Sequence, residues 1–205
     1  MSPTRTEKFQ QALARRQPDL TIVLENVIDP HNVSAVMRTC DAVGIQDVYV
    51  IHSRPVRPKK WGFKSSSSAA KWLTVLDFDS VDQCFQVLRK KYERILCARL
   101  DQHAADLYST DLTRSTAIVF GNEQEGVSED VRNRSDGSLL IPQVGIISSL
   151  NISVACAVTL YEAYRQKQLK GHYDRNNLDP ATAQTLFDQW SLHKKLQPFN
   201  AENDD

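Results

Sequence analysis

Glycine is scarce in this sequence, seven in 205 residues, and none stands in a G-x-G-x-x-G or G-x-x-x-x-G-K array. That excludes the usual dinucleotide fingerprint and the phosphate-binding P-loop. No G-x-S-x-G elbow is present and the serines have no obvious His and Asp partners, so a hydrolase triad has little support. The four cysteines, Cys40, Cys84, Cys97 and Cys156, form no C-x-x-C pair and lie in apolar segments. They read as small buried hydrophobes of a reducing compartment. The histidines show no metal-ligand spacing. No stretch of about 18 apolar residues occurs, and the start, Met1-Ser-Pro-Thr-Arg-Thr-Glu-Lys, has no apolar run behind a basic beginning. The expectation is cytoplasmic residence, with no membrane and no metal. Net charge is lacking too: 25 Lys and Arg balance 25 Asp and Glu, so any RNA affinity must come from local clustering.

What is present is a regular alternation of apolar segments. Phe9, Ala12 and Leu13 recur at helical spacing among Arg5, Lys8, Arg15 and Arg16, which predicts a short basic helix ending before Pro18. Thr21-Ile-Val-Leu-Glu predicts a strand, followed by the turn and cap chemistry of Asp29-Pro-His-Asn. Val33 to Val43 predicts a helix closed by Gly44. Further strands are expected at Val48–Ile51, Trp72–Leu76, Arg94–Ala98, Ala117–Phe120 and Ser138–Ile141. Helices are expected at Val81–Tyr92, at Leu150 to about Leu169, and at Pro180–Lys194. Such alternation predicts an α/β fold, a mostly parallel sheet with helices on both faces. Its organisation reads as a basic helical extension over 1–19, a main domain over 20–170 and a partly helical extension over 171–205.

In such a sheet, ligands sit beyond the carboxyl ends of the strands. Three polar clusters follow predicted strands. The first runs from Asn32 to Arg38, where Asn32 also reads simply as a helix N-cap and Arg38 as a surface charge. The second, Phe120-Gly121-Asn122-Glu123-Gln124-Glu125-Gly126, suits a loop whose backbone approaches a ligand, or a plain turn ahead of a Ser128 cap. The third, Ile141 to Ser153, crowds Gly145, Ser148, Ser149, Asn151 and Ser153 at one helix start, more polar groups than capping needs. A fourth feature is the stretch from Val48 to Leu76. It has no acid, yet carries Arg54, Arg57, Lys59, Lys60, Lys64 and Lys71 among Trp61, Phe63 and Trp72, a composition suited to a polyanion. Arg5, Lys8, Arg15 and Arg16 could extend that surface, as could Arg165, Lys167, Lys170 and Arg175. RNA is the natural ligand.

The three clusters resemble, in order, the signature motifs of the SpoU family within the SPOUT superfamily. They are Asn32-x-x-Ala35-x-x-Arg38, Gly121-Asn-Glu-x-x-Gly126, and Ile141-Pro-x-x-Gly145-x-x-x-Ser149-Leu-Asn151-x-Ser153-x-Ala155. Leu13 to Thr21 and Leu160 to Gln166 are similar to the branch of this family that methylates the ribose of the D-loop guanosine at tRNA position 18. The resemblance implies a C-terminal deep trefoil knot, where the alternation of elements alone gives an unknotted sheet. It also implies S-adenosyl-L-methionine as cofactor, tRNA as substrate and a homodimer. By motif, Asn32, Arg38, Glu123, Ser149 and Asn151 form the catalytic centre. Ala98, Gly121, Ile141 and Leu150 hold the cofactor, and Arg38 comes to the site from the partner subunit. Arg5, Arg15, Arg16, Arg54, Arg57, Lys59, Lys60 and Lys64 are the expected RNA contacts. Glu125 is an extra carboxylate in the second motif.

A guanidinium has a reference pKa of at least 12.5, so emptying one near pH 7 costs about 7 kcal/mol. Arg38 is therefore expected to stabilise developing oxyanion charge and a neighbouring phosphate rather than to take the proton. Two other readings stay open: an enzyme acting on another tRNA position or on ribosomal RNA, and a non-catalytic RNA-binding protein of the same knot. Intact Arg38, Glu123 and Asn151 argue against the second.

Overall fold

A computed structural model describes residues 3–54, 69–100, 104–147 and 149–192. Arg57, Lys59, Lys60, Lys64, Trp61, Phe63 and Ser148 lie outside them. Seven strands form one parallel sheet: β1 (Leu20–Glu25), β2 (Asp47–Ile51), β3 (Thr74–Phe78), β4 (Arg94–Ala98), β5 (Ala105–Asp106), β6 (Thr116–Phe120) and β7 (Gly137–Leu140). Their order is β3-β2-β1-β6-β4-β7-β5. The helices are α1 (Pro3–Ala14), α2 (Pro30–Ala42), α3 (Val81–Lys91), α4 (Glu129–Arg134), α5 (Ile152–Leu169) and α6 (Pro180–Ser191).

The strands alternate, yet both faces are apolar, because each face is covered. Leu20, Ile22 and Leu24 of β1 point into a core shared with Val36, Met37 and Cys40 of α2 and Cys156 and Leu160 of α5. Val23, Val119 and Ile95 point the other way, onto Cys84, Phe85 and Leu88 of α3 and Val131 of α4. Strand β5 has two residues and α4 six, too short for a period to show in the sequence.

The N-terminal helix is no loose appendage. Phe9 and Leu13 pack with Leu178, Leu186 and Trp190, so α1 and α6 cover one another in a third small core. Trp72, expected to serve as a base-stacking residue, packs there instead, its ring 5.3 Å from Phe9 and 5.6 Å from Trp190.

Two basic residues expected on the RNA surface are internal. Arg16 is 1% exposed. Its guanidinium donates to Ile45 O at 2.8 Å, Asp41 Oδ1 at 2.8 Å and Trp72 O at 3.2 Å, and lies over the Trp190 ring. It ties the chain after α1 to α2 and to the segments leading into β2 and β3, and a charge enclosed this way is not available to a phosphate. Lys167 is fully buried and donates to Asp19 Oδ2 at 2.7 Å, fixing the end of α5 beneath β1.

Replacing Arg16 by Ala leaves the buried Ile45 carbonyl, the half-buried Trp72 carbonyl and Asp41 without this donor. In urea unfolding, Arg16→Ala is expected to lower stability by about 2–4 kcal/mol, whereas Arg15→Ala at the exposed neighbour stays within about 0.5 kcal/mol.

Candidate active site

The first motif enters the site because another residue caps its helix. Asp29, not Asn32, is the N-cap of α2; its side chain accepts from His31 N at 2.9 Å, and Pro30 fills the first helical position. Asn32 thus sits inside the first turn, 9% exposed, with its amide free for long-range bonds. Its Nδ2 donates to Glu123 Oε1 at 2.5 Å, and its Oδ1 accepts from Asn151 Nδ2 at 3.0 Å. Asn151 is in turn the N-cap of α5, its Oδ1 accepting from Ser153 N at 2.8 Å and Ser153 Oγ at 2.6 Å. One hydrogen-bonded chain, Glu123–Asn32–Asn151–Ser153, therefore joins all three polar clusters.

The second cluster forms a tight turn beyond β6. Asn122 Oδ1 accepts from the backbone N–H of Gln124 at 3.0 Å and of Glu125 at 2.8 Å, while Gly126 N returns to Asn122 O at 3.0 Å. Gly126 has φ +69°, and a Cβ on Gly121 would lie 2.0 Å from the carbonyl of Gly126, so both positions require glycine. Glu25, at the end of β1 and 1% exposed, steadies the turn's exit by accepting from Ser128 N at 2.8 Å. Sequence reasoning missed this role; its one signal was an acid closing the apolar run Thr21-Ile-Val-Leu.

A cavity of about 440 Å³ opens at the carboxyl ends of β4, β6 and β7. Ala98, Gly121, Ile141 and Leu150, the four expected cofactor contacts, all line it, as do Glu123 and Ser149. Arg99, Glu125, Glu129 and Gln143 also line it and were not singled out as site residues. Arg38 is exposed on α2 and is not among the lining residues. Of the expected RNA contacts, Arg15 is exposed, Arg5 lies over the Phe9 ring at 5.2 Å, and Arg54 is exposed in an ion pair with Glu125. The hydrogen bond and charge of Arg54 hold the Glu125 carboxyl below its usual range. In the third cluster Val144, Ile146 and Ile147 are exposed, as are Leu150 and, on α5, Val154 and Tyr161.

Three motifs bonded through one amide beside a cavity at the strand ends are the context in which a family match has meaning. The model of the SpoU rRNA Methylase family matches residues 19–161. The chain belongs to that family. It is 39% identical over 186 residues to a tRNA (guanosine(18)-2'-O)-methyltransferase of Thermus thermophilus, covering 91% of this chain and 95% of the relative. The crystal structure of the A. aeolicus TrmH/SpoU tRNA modifying enzyme superposes with a TM-score of 0.84 at 32% identity, covering 92% and 95% of the two chains. The SpoU methyltransferase AviRb from Streptomyces viridochromogenes, in complex with AdoMet, gives 0.65 at 25% identity, covering 76% of this chain and 62% of that one. The SpoU match ends before α6 and begins after α1, so the α1–α6 pair lies outside it.

The turn at Gly121 supplies its own test. Gly121→Ala forces backbone against backbone and is expected to cost about 1–3 kcal/mol or more in urea unfolding. Gly137→Ala, whose methyl would meet only Leu96 at 3.6 Å, serves as the tolerated control.

Proposed function

We propose that this chain is a tRNA (guanosine-18-2'-O)-methyltransferase, transferring a methyl group from S-adenosyl-L-methionine to the ribose hydroxyl of the D-loop guanosine. The observation that carries the reading is the Glu123–Asn32–Asn151 chain, which binds the three family motifs together at the rim of one cavity. The likeness to the Thermus enzyme along nearly the whole of both chains supports the substrate.

The cavity suits the cofactor on two counts. Its volume lies in the range of small-molecule sites. Its described lining carries the carboxylates Glu123, Glu125 and Glu129, the last two paired with Arg54 and Arg132, and the guanidinium of Arg99, which together offer partners to both the cationic and the anionic groups of a sulfonium amino acid. Ala98, Gly121, Ile141 and Leu150 would hold it, in a trefoil knot formed by the segments after β6 and β7. When bound, the cofactor supplies an electrophilic methyl group on a positively charged sulfur.

The protein's part is alignment and charge stabilisation. Asn32, held between Glu123 and Asn151, sets the spacing of α2 and α5 around the ribose, and Ser149 orients the hydroxyl from the cavity wall. Glu123 is committed to Asn32 and acts as a geometric brace. Arg38 stabilises oxyanion charge on the ribose oxygen from a second copy of the chain. A homodimer covers the exposed Val144, Ile146, Ile147, Leu150, Val154 and Tyr161, large apolar side chains on α5 and the segment leading into it. Arg5, Arg15, Arg54, Arg57, Lys59, Lys60 and Lys64 contact the tRNA. Among the described residues no helix is long and apolar enough to cross a membrane, and the site of action is the cytoplasm, where tRNA is modified.

The test is transfer of labelled methyl to an unmodified tRNA transcript, with the product nucleotide mapped. Methylation at the ribose of guanosine 18 is the expected outcome; methylation elsewhere keeps the reaction and overturns the substrate. Arg38→Ala is expected to lower kcat by about 100-fold or more while cofactor binding persists. Mixing it with Asn151→Ala restores part of the activity, because one site of the mixed dimer is intact.

A further inference from the structure

Three carboxylates, Glu123, Glu125 and Glu129, line the cavity, and any of them left unpaired repels the phosphates of an approaching RNA. The three carboxylates differ in how they are engaged. Glu123 accepts from Asn32, and Glu129 pairs with Arg132 on its own helix. Glu125 instead reaches across to Arg54, just beyond the carboxyl end of β2 and so at the same end of the sheet as the cavity. Its presentation is rigid, since its backbone N–H is tied to Asn122 Oδ1 at 2.8 Å within the glycine-bracketed turn. Both partners are open to solvent, with side chains 43% and 57% exposed for Arg54 and Glu125. An ion pair this exposed contributes little to folding and yields readily to a better partner. A phosphodiester is such a partner: it offers the guanidinium two oxygens in the same forked geometry as a carboxylate.

The geometry points to Glu125 as a stand-in for substrate phosphate: it holds Arg54 at the mouth of the cavity until a backbone phosphate of the RNA displaces it. This inference deepens the reading of the site as an RNA ribose methyltransferase and rests on it. Arg54 is the phosphate contact, and Glu125 is a built-in competitor for it. Every RNA that enters must break the pair and lie beside a bared carboxylate. Only an RNA with enough further contacts stays, so Glu125 serves specificity at the expense of affinity. The extra carboxylate of the second motif thereby acquires a role.

The experiment is binding of an unmodified tRNA transcript, and of an unrelated RNA hairpin, to the full-length protein with adenosylmethionine present, over a range of salt. Arg54→Gln is expected to weaken tRNA binding about 3- to 10-fold and to reduce the slope of log K against log salt by about one. Glu125→Gln is expected to tighten binding about 2- to 5-fold, more for the hairpin than for tRNA. The proposal is overturned if Glu125→Gln weakens binding as Arg54→Gln does, since the pair is then only a brace. It is equally overturned if Arg54→Gln leaves the salt slope unchanged, or if the wild-type protein binds no tRNA. Methyl transfer is read from the same samples. A wild-type protein that binds tRNA without methylating it removes the enzymatic reading, while the salt slopes still decide the role of the pair.

Discussion

The side-chain amide of Asn32 is the constraint on which the site depends. Its nitrogen donates to Glu123 and its oxygen accepts from Asn151, so one group of fixed geometry sets the distance between α2, the turn after β6 and the start of α5. A carboxylate in its place has no donor for Glu123 and an ammonium or guanidinium no acceptor for Asn151, whereas the amide presents a donor and an acceptor side by side. Asn151 carries a matching double duty, spending its oxygen on the first turn of α5 and its nitrogen on Asn32. The start of the longest helix and the assembly of the site are thus the same set of bonds. In partly enclosed surroundings such a chain rigidifies its members together.

The sheet places this network where chemistry can use it. Parallel strands send every βα connection to one end, and the order β1-β6-β4-β7 brings the connections after β4, β6 and β7 side by side. Both faces of the sheet are sealed by helices, so the cavity is confined to that end. The opposite end is fastened by Arg16 and by the Lys167–Asp19 pair, charges drawn inward to hold chain segments rather than left outside to hold ligand.

How much of this was legible depended on the range of the interaction. The main strands and helices announced themselves through apolar periodicity, and the site clusters through their position after strands, because both signals are local. Roles set at long range were hidden. Asn32 looked like a cap until Asp29 was seen to start the helix one turn earlier, and its true partners lie 91 and 119 residues away. Arg16 looked like an RNA contact because charge is visible in a sequence and a buried partner is not; Asp41, Ile45 and Trp72 come to it from separate elements. Trp72 passed for a stacking platform for the same reason, since nothing near it in the chain foretold Phe9 and Trp190. The resemblance to a family supplied what periodicity could not, namely which of the clustered polar residues belong together.

The packing of α1 on α6 has a consequence for how the chain matures. During synthesis Phe9 and Leu13 emerge before the sheet, whereas Leu186 and Trp190, which complete their cover beside Trp72, follow only after it. Until then the first helix is an amphipathic segment with an uncovered stripe, and closing so long a loop is worthwhile only once the intervening sheet has shortened it. The small aromatic cluster is therefore a final clasp: it is completed last, and stripping away either end leaves the other with an apolar face toward water.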